Sequence, residues 1–148
     1  YNAKLIKDIT NSSSVGIHVR RGNYLLSPTY SGICNLEYYK KAIVRIKSDG
    51  KQHSFYIFSN AINWCRQNIV PLLGDSEVLF VTENTGVNSC WDMFLMSYCR
   101  DLIMANSSFS WWGAFLNNNA ERVIVPYPWM NGRDTSGIYA PEWIKIDC

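Results

Sequence analysis

The chain has 148 residues, 47% of them hydrophobic and 18% charged, a balance that suits one compact domain with a proper core and excludes a disordered chain. A formal net charge of +2 excludes a global polycation for nucleic acid or membrane surfaces, so any anion site must be built locally from a few placed groups. No apolar run is long enough to span a bilayer and no basic-then-apolar leader opens the chain.

The first ten residues, with Leu5, Ile6 and Ile9, read as a helix. Val15–Val19 is the first of five short, β-branched-rich runs; the others are Ser54–Phe58, Val78–Val81, Leu102–Ala105 and Arg122–Val125. They are near-continuously apolar rather than alternating, which predicts strands buried on both faces of a parallel sheet. Asn35 is placed to cap a helix over 36–48, in which Leu36, Tyr39, Ala42, Ile43 and Ile46 recur at helical spacing and Lys40, Lys41 and Lys47 face outward. Further helices are predicted over 61–73, 87–99 and 107–119, and 127–143 is the one extended loop. Strand and helix alternating five times predicts an α/β fold, a doubly wound, Rossmann-like parallel sheet of about five strands. The single domain covers 1–148.

Ligands of such sheets bind beyond the carboxyl ends of the strands. The exits read His18-Val19-Arg20-Arg21-Gly22-Asn23, Ser59-Asn60, Thr82-Glu83-Asn84 and Asn106-Ser107-Ser108-Phe109-Ser110, with Tyr127 and Trp129 after the fifth strand. The fourth exit passes into a helix through good N-cap residues, so free backbone N–H groups and the positive helix end point outward together. Beside it, Arg20 and Arg21 are suited to clamp a diphosphate by bidentate, charge-assisted hydrogen bonds. Neither a P-loop nor a nicotinamide fingerprint is present.

Other candidates carry less. His18 fits a core histidine as well as a ligand contact; His53, beside Lys51 and Gln52, reads as solvent-facing; Asp92 near a helix start can simply favour the helix dipole. The five cysteines form no C-x-x-C pair and no cluster with histidine, so they read as free thiols and no metal site is expected. Asn11 and Asn106 open N-x-S sequons, both discounted as glycan sites.

Three ordered blocks, "HVRRGNY", "FYIFSNAINWCRQNI" and "WDMFLMSYCRDLIMANSSFSWWGAFLN", resemble those of glycosyltransferase family 11, the α-1,2-fucosyltransferases, over nearly the whole chain. The resemblance implies one Rossmann-like half of a GT-B-like fold. It implies transfer of fucose from GDP-L-fucose, with inversion and without a metal or other cofactor, to the 2-hydroxyl of a galactose-terminated acceptor. The chain opens on Tyr, and the "GGLGNQ(M/L)FQY"-like segment of the family's N-terminal half is absent. The chain is therefore expected to correspond to the donor-binding half, inactive in isolation, with neither acceptor contacts nor a catalytic base identifiable.

By the same resemblance, one of Arg20 and Arg21 contacts the β-phosphate and the other the fucose or the phosphate bridge, stabilising charge on departing GDP. His18 lies near the nucleotide, Asn106, Ser107, Ser108, Phe109 and Ser110 receive the diphosphate, and Asp92 reads the guanine edge. Gly22, Asn23, Ser59 and Asn60 complete the expected substrate contacts. Asn23 stands where the family's block reads "RRGDY", and Asn60-Ala61 where it reads "SDD". These departures leave a second reading open, a non-catalytic nucleotide- or glycan-binding module derived from the family. The expected location is cytoplasmic, of bacterial type, with membrane association as the alternative.

Overall fold

The computed structural model describes residues 1–148. The elements in chain order are α1 (Asn2–Thr10), β1 (Ser14–Val19), α2 (Leu36–Lys47), β2 (Ser54–Ser59), α3 (Ile62–Asn68), α4 (Val70–Leu73), β3 (Glu77–Val81), α5 (Cys90–Met96), β4 (Asp101–Ile103), α6 (Ser108–Phe115), β5 (Arg122–Tyr127) and β6 (Ile144–Asp147), with short 3-10 turns at Gly22–Leu26, Gly86–Ser89 and Ser136–Ile138. All neighbouring strands are parallel, and the sheet order is β3-β2-β1-β4-β5-β6. The chain steps outward from β1 to β3, returns to the other side of β1, and steps outward again. That reversal opens a crevice between the β1 and β4 exits, the place where doubly wound sheets bind their ligands.

The five expected strands are present, and β6 is a sixth. Its residues alternate between half-buried and exposed, as befits an edge strand, so it lacks the continuous apolar run that marks the others. The helix expected over 61–73 is divided at Ile69. Pro71 has no N–H to donate into a continuous ladder. In α2 the Asn35 side-chain Oδ1 accepts from the Tyr38 N–H at 2.9 Å, the expected cap. Leu36 is exposed, and Tyr38 is buried in its stead because its hydroxyl donates to the Met104 carbonyl at 2.6 Å.

Two apolar layers cover the sheet. Leu5, Ile9, Leu95, Met96 and Ala114 of α1, α5 and α6 pack against one face with Tyr56, Phe58 and Leu102. Tyr38, Tyr39, Ile43, Ile46, Cys65 and Leu73 of α2, α3 and α4 pack against the other with Val15, Ile17 and Val19. The two-residue period of β1 therefore sends Gly16 and His18 toward the α1/α5/α6 side. A Cβ at Gly16 would lie 2.8 Å from Leu102 Cδ2 and 3.1 Å from Cys99 Sγ, so a larger residue there would force these packed side chains to shift.

The opposite end of the sheet is held by charge. Asp101 is fully buried, and both of its oxygens accept from Arg122, at 2.7 and 2.8 Å. Arg122 also donates to the Ile46 carbonyl at 3.0 Å and to Asp49 at 2.8 Å. His53, read from sequence as solvent-facing, is buried. Its ring nitrogens lie 3.0 Å from Ser13 Oγ and 3.0 Å from Asp49 Oδ1, so two polar partners satisfy it inside. All five cysteines are free thiols, and no helix is long and apolar enough to cross a membrane.

Candidate active-site cleft

A cleft of about 340 Å³ opens at the crevice between the β1 and β4 exits. It gathers His18 and Arg20 from the end of β1, Ser59 and Asn60 from β2, Asp92 from α5, and Ser107 and Phe109 from the start of α6. Seven sequence-predicted residues thus share one wall-to-wall space. Asn84, Thr85, Gly86 and Ser89 from the β3 exit also line it. Of these, Asn84 was visible at a strand exit, whereas Gly86 and Ser89, in a 3-10 turn, and Thr85 just before it carry no sequence signal for chemistry.

The pleat of β1 divides the arginine pair. Arg20 follows the parity of His18 and enters the cleft; Arg21 follows Val19 and lies toward α3, its guanidinium 4.0 Å from the Trp64 ring centroid. Arg20 Nη2 donates to Asn23 Oδ1 at 3.3 Å, its guanidinium lies 5.1 Å from the Tyr24 ring, and its Nε is buried without a hydrogen-bond partner. None of the chain's ion pairs involves either arginine, so their positive charge is left unneutralised by the protein.

His18 is 6% exposed, and its Nδ1 is the only other buried side-chain polar atom with no partner. Burial, reinforced by the Arg20 charge, lowers its pKa to about 3, so the ring is neutral at pH 7. A neutral imidazole presents one donor and one acceptor nitrogen, and Phe109 packs against it at 5.6 Å.

The turn after β1 is fastened by Asn60. Its Oδ1 accepts from the Arg21 N–H at 2.9 Å and its Nδ2 donates to the Arg21 carbonyl at 3.2 Å. Gly22 sits at φ +72°, and an added Cβ would lie 3.3 Å from Asn60 Nδ2; both facts call for glycine. Ser59 Oγ accepts from the Ala61 N–H at 2.9 Å, in the turn that precedes α3.

At the fourth exit the residues divide by role. Asn106 is buried; its Nδ2 donates to the carbonyls of Tyr30 and Trp129 at 3.4 and 3.2 Å, and its Oδ1 accepts from the Cys34 thiol. Ser110 Oγ donates to the Ala105 carbonyl at 2.9 Å. Both side chains are engaged within the protein. Ser107 caps α6, its hydroxyl accepting from the Phe109 N–H at 3.3 Å, while its own N–H donates to Ala105. The Ser108 and Ser110 amides then have no acceptor in the helix's first turn, and Ser108 is exposed.

Asp92 is half-buried, and burial raises its pKa against the lowering effect of an Asn84 hydrogen bond. Asn84 Nδ2 donates to Asp92 Oδ1 at 2.7 Å and is itself paired to Asn2 through both ends of its amide. The carboxylate is held at the cleft wall with acceptor capacity to spare. No three His, Cys, Asp or Glu side chains converge as a metal-binding group.

The cleft therefore has an anion-seeking side, made by Arg20 and the start of α6, and a donor-seeking side, made by Asp92. A family model described as glycosyl transferase family 11 matches residues 2–147. An α-1,2-colitosyltransferase of Escherichia coli is 34% identical over 99% of this chain and 52% of its own length. The O-antigen biosynthesis glycosyltransferase WbnK of Escherichia coli is 32% identical, over 92% and 45%. The mouse galactoside α-(1,2)-fucosyltransferase 2 is 29% identical, over 91% and 41%. The chain spans about half the length of these relatives.

Proposed function

Since the chain belongs to glycosyl transferase family 11, we propose that it is the donor-binding half of an inverting, metal-independent galactoside α-1,2-fucosyltransferase, with GDP-L-fucose held in the β1–β4 cleft. The observation that carries this reading is the pair of unpartnered buried atoms, His18 Nδ1 and Arg20 Nε, on the wall of one cleft. A buried polar group left unpaired is costly, and a ligand oxygen would satisfy it.

In this reading the diphosphate lies between Arg20 and the free amides at the start of α6. Asp92 accepts from the guanine N1–H and 2-amino group, two adjacent donors that suit a carboxylate. In transfer, the acceptor hydroxyl oxygen bonds to the anomeric carbon as the bond from that carbon to the diphosphate oxygen breaks. GDP departs with the electron pair, and the hydroxyl proton passes to a base that this chain does not identify. Arg20 and the α6 amides act on the leaving group, where charge develops.

Calorimetric titration with GDP, and with UDP and ADP as controls, tests the reading. GDP should bind in preference to the other two, and Arg20→Ala should weaken it at least tenfold while Lys40→Ala on the outer face of α2 leaves it unchanged. Equal binding of all three nucleotides would overturn it. The second reading, a non-catalytic binding module, draws on the neutral side chains at Asn23, Asn60 and Ala61. Fucose transfer by the chain joined to an N-terminal half would reject that module.

A further inference from the structure

Asn2, Asn84 and Asp92 meet at the wall of the cleft from three places in the chain: the first turn of α1, the β3 exit and the first turn of α5. The two asparagines form a reciprocal pair. Asn2 Nδ2 donates to Asn84 Oδ1 at 3.0 Å, and Asn84 Nδ2 donates to Asn2 Oδ1 at 2.9 Å. Asn84 Nδ2 also donates to Asp92 Oδ1 at 2.7 Å. Three bonds therefore fall on one partly buried amide, and the shortest of them goes to the carboxylate. Asn84 and Asp92 line the cleft, whereas Asn2 stays outside it.

An asparagine pair of this kind tolerates a double flip, since turning both amides over exchanges each donor for an acceptor and keeps both bonds. The carboxylate removes that freedom, because a flipped Asn84 would set its oxygen against Asp92 Oδ1. In return the fixed amide holds the carboxylate by one oxygen, and Asn84 is its one hydrogen-bond donor in the protein. The same bond offsets the rise that burial imposes on the Asp92 pKa, favouring the ionised form, which accepts at both oxygens. A tie between α1 and the β3 exit would need only the Asn2–Asn84 pair; the third bond reaches past it to a side chain of the cleft.

Building on the donor reading above, in which Asp92 accepts from the guanine N1–H and 2-amino group, we infer that Asn84, backed by Asn2, is a positioning residue for the choice of base. It fixes the rotation of the Asp92 carboxylate so that both oxygens meet the two adjacent donors at once. Two parallel hydrogen bonds to a planar edge need the carboxylate plane close to the plane of the base. The terminal torsion of an aspartate is broad, so an untethered carboxylate would meet one donor well and the other poorly. Asn2 acts a step further back: it touches no ligand and holds the amide that holds the carboxylate.

The test compares GDP by calorimetry with inosine diphosphate, which keeps the N1–H and lacks the 2-amino group. The parent chain should bind GDP at least about tenfold more tightly, the worth of one hydrogen bond to a charged group. Asn84→Ala should lower that ratio at least about threefold, and Asn2→Ala should lower it by a smaller factor. Both nucleotides are measured on one protein, so a loss of folded chain affects them alike and leaves the ratio unmoved. Asp92→Asn should bring the ratio near one, and Asn84→Ala added to it should then change nothing, as expected of a residue that acts through Asp92. Asn84→Ala or Asn2→Ala at the parent's ratio, or Asn84→Ala lowering the ratio by the same factor beside Asp92→Asn, would overturn the positioning role alone. A parent chain that binds GDP and inosine diphosphate equally would overturn the guanine contact at Asp92 and the positioning role with it. Failure to bind GDP at all would overturn the donor reading itself.

Discussion

Asn60 stands where the family's block carries an acid, and its two hydrogen bonds to Arg21 make Asn60→Asp an informative perturbation. A carboxylate keeps the acceptor for the Arg21 N–H but loses the donor to the Arg21 carbonyl, now at 3.2 Å. In its place a second oxygen faces the carbonyl oxygen at about the same separation. The lost bond costs about 0.5–1.5 kcal/mol net. The oxygen–oxygen repulsion adds to this, moderated by water because Asn60 is exposed. The turn conformation that presents Arg20 should therefore be destabilised by about 1–2 kcal/mol, which is a five- to thirtyfold loss in affinity for a ligand requiring it. Calorimetry with GDP at pH 7.5 should show that loss. As pH falls into the carboxylate range, the protonated acid regains a donor and affinity should recover relative to the parent. Asn60→Ala, which lacks both bonds, should be weakened at every pH. An Asn60→Asp variant that binds GDP as tightly as the parent at pH 7.5, or is weakened by one constant factor across pH, would refute the role given to the amide.

Three further outcomes follow from the geometry. Ser110→Ala removes the buried hydroxyl bonded to Ala105, and should lower unfolding stability by about 1 kcal/mol in urea melts while leaving GDP affinity within about twofold. His18 has a pKa lowered to about 3 by burial and by Arg20, so between pH 6.5 and 3 the unfolded chain binds the extra proton. Its contribution is fully present above about pH 6.5 and is lost as pH falls, roughly 2–3 kcal/mol by pH 4.5; His18→Leu should flatten this slope in denaturant titrations across pH. Asp101→Ala leaves Arg122 without its buried partner, and should cost about 3–5 kcal/mol, with a fall in Tm on the order of 10 °C by calorimetry.

Much of the site is legible in the sequence because strand exits can be found from apolar runs. Once those runs are parallel strands, His18, Arg20, Ser59, Asn60 and Asn106–Ser110 must approach one sheet edge. What was not legible depended on partners far along the chain. Asn106 and Ser110 read as phosphate donors, yet their side chains are engaged with protein carbonyls. His53 lies among polar neighbours that suggest solvent, but Ser13 and Asp49 satisfy it inside. The β6 edge strand is half exposed and shows only a short alternation.

By itself the sequence determined the alternation of strand and helix, the parallel sheet, the family resemblance and the edge at which chemistry gathers. These follow from local periodicity and from blocks of contiguous residues. Only the tertiary structure decided what each polar side chain does there. The two-residue period of β1 separates Arg20 from Arg21, but the arrangement of helices on the two faces decides that one meets the cleft and the other Trp64. Tyr30, Trp129 and Ile138 are likewise brought around the start of α6 while Asn106, Trp111 and Asn131 fasten segments distant in sequence. Hydrogen bonds of that reach are properties of the folded chain, with no periodicity to announce them.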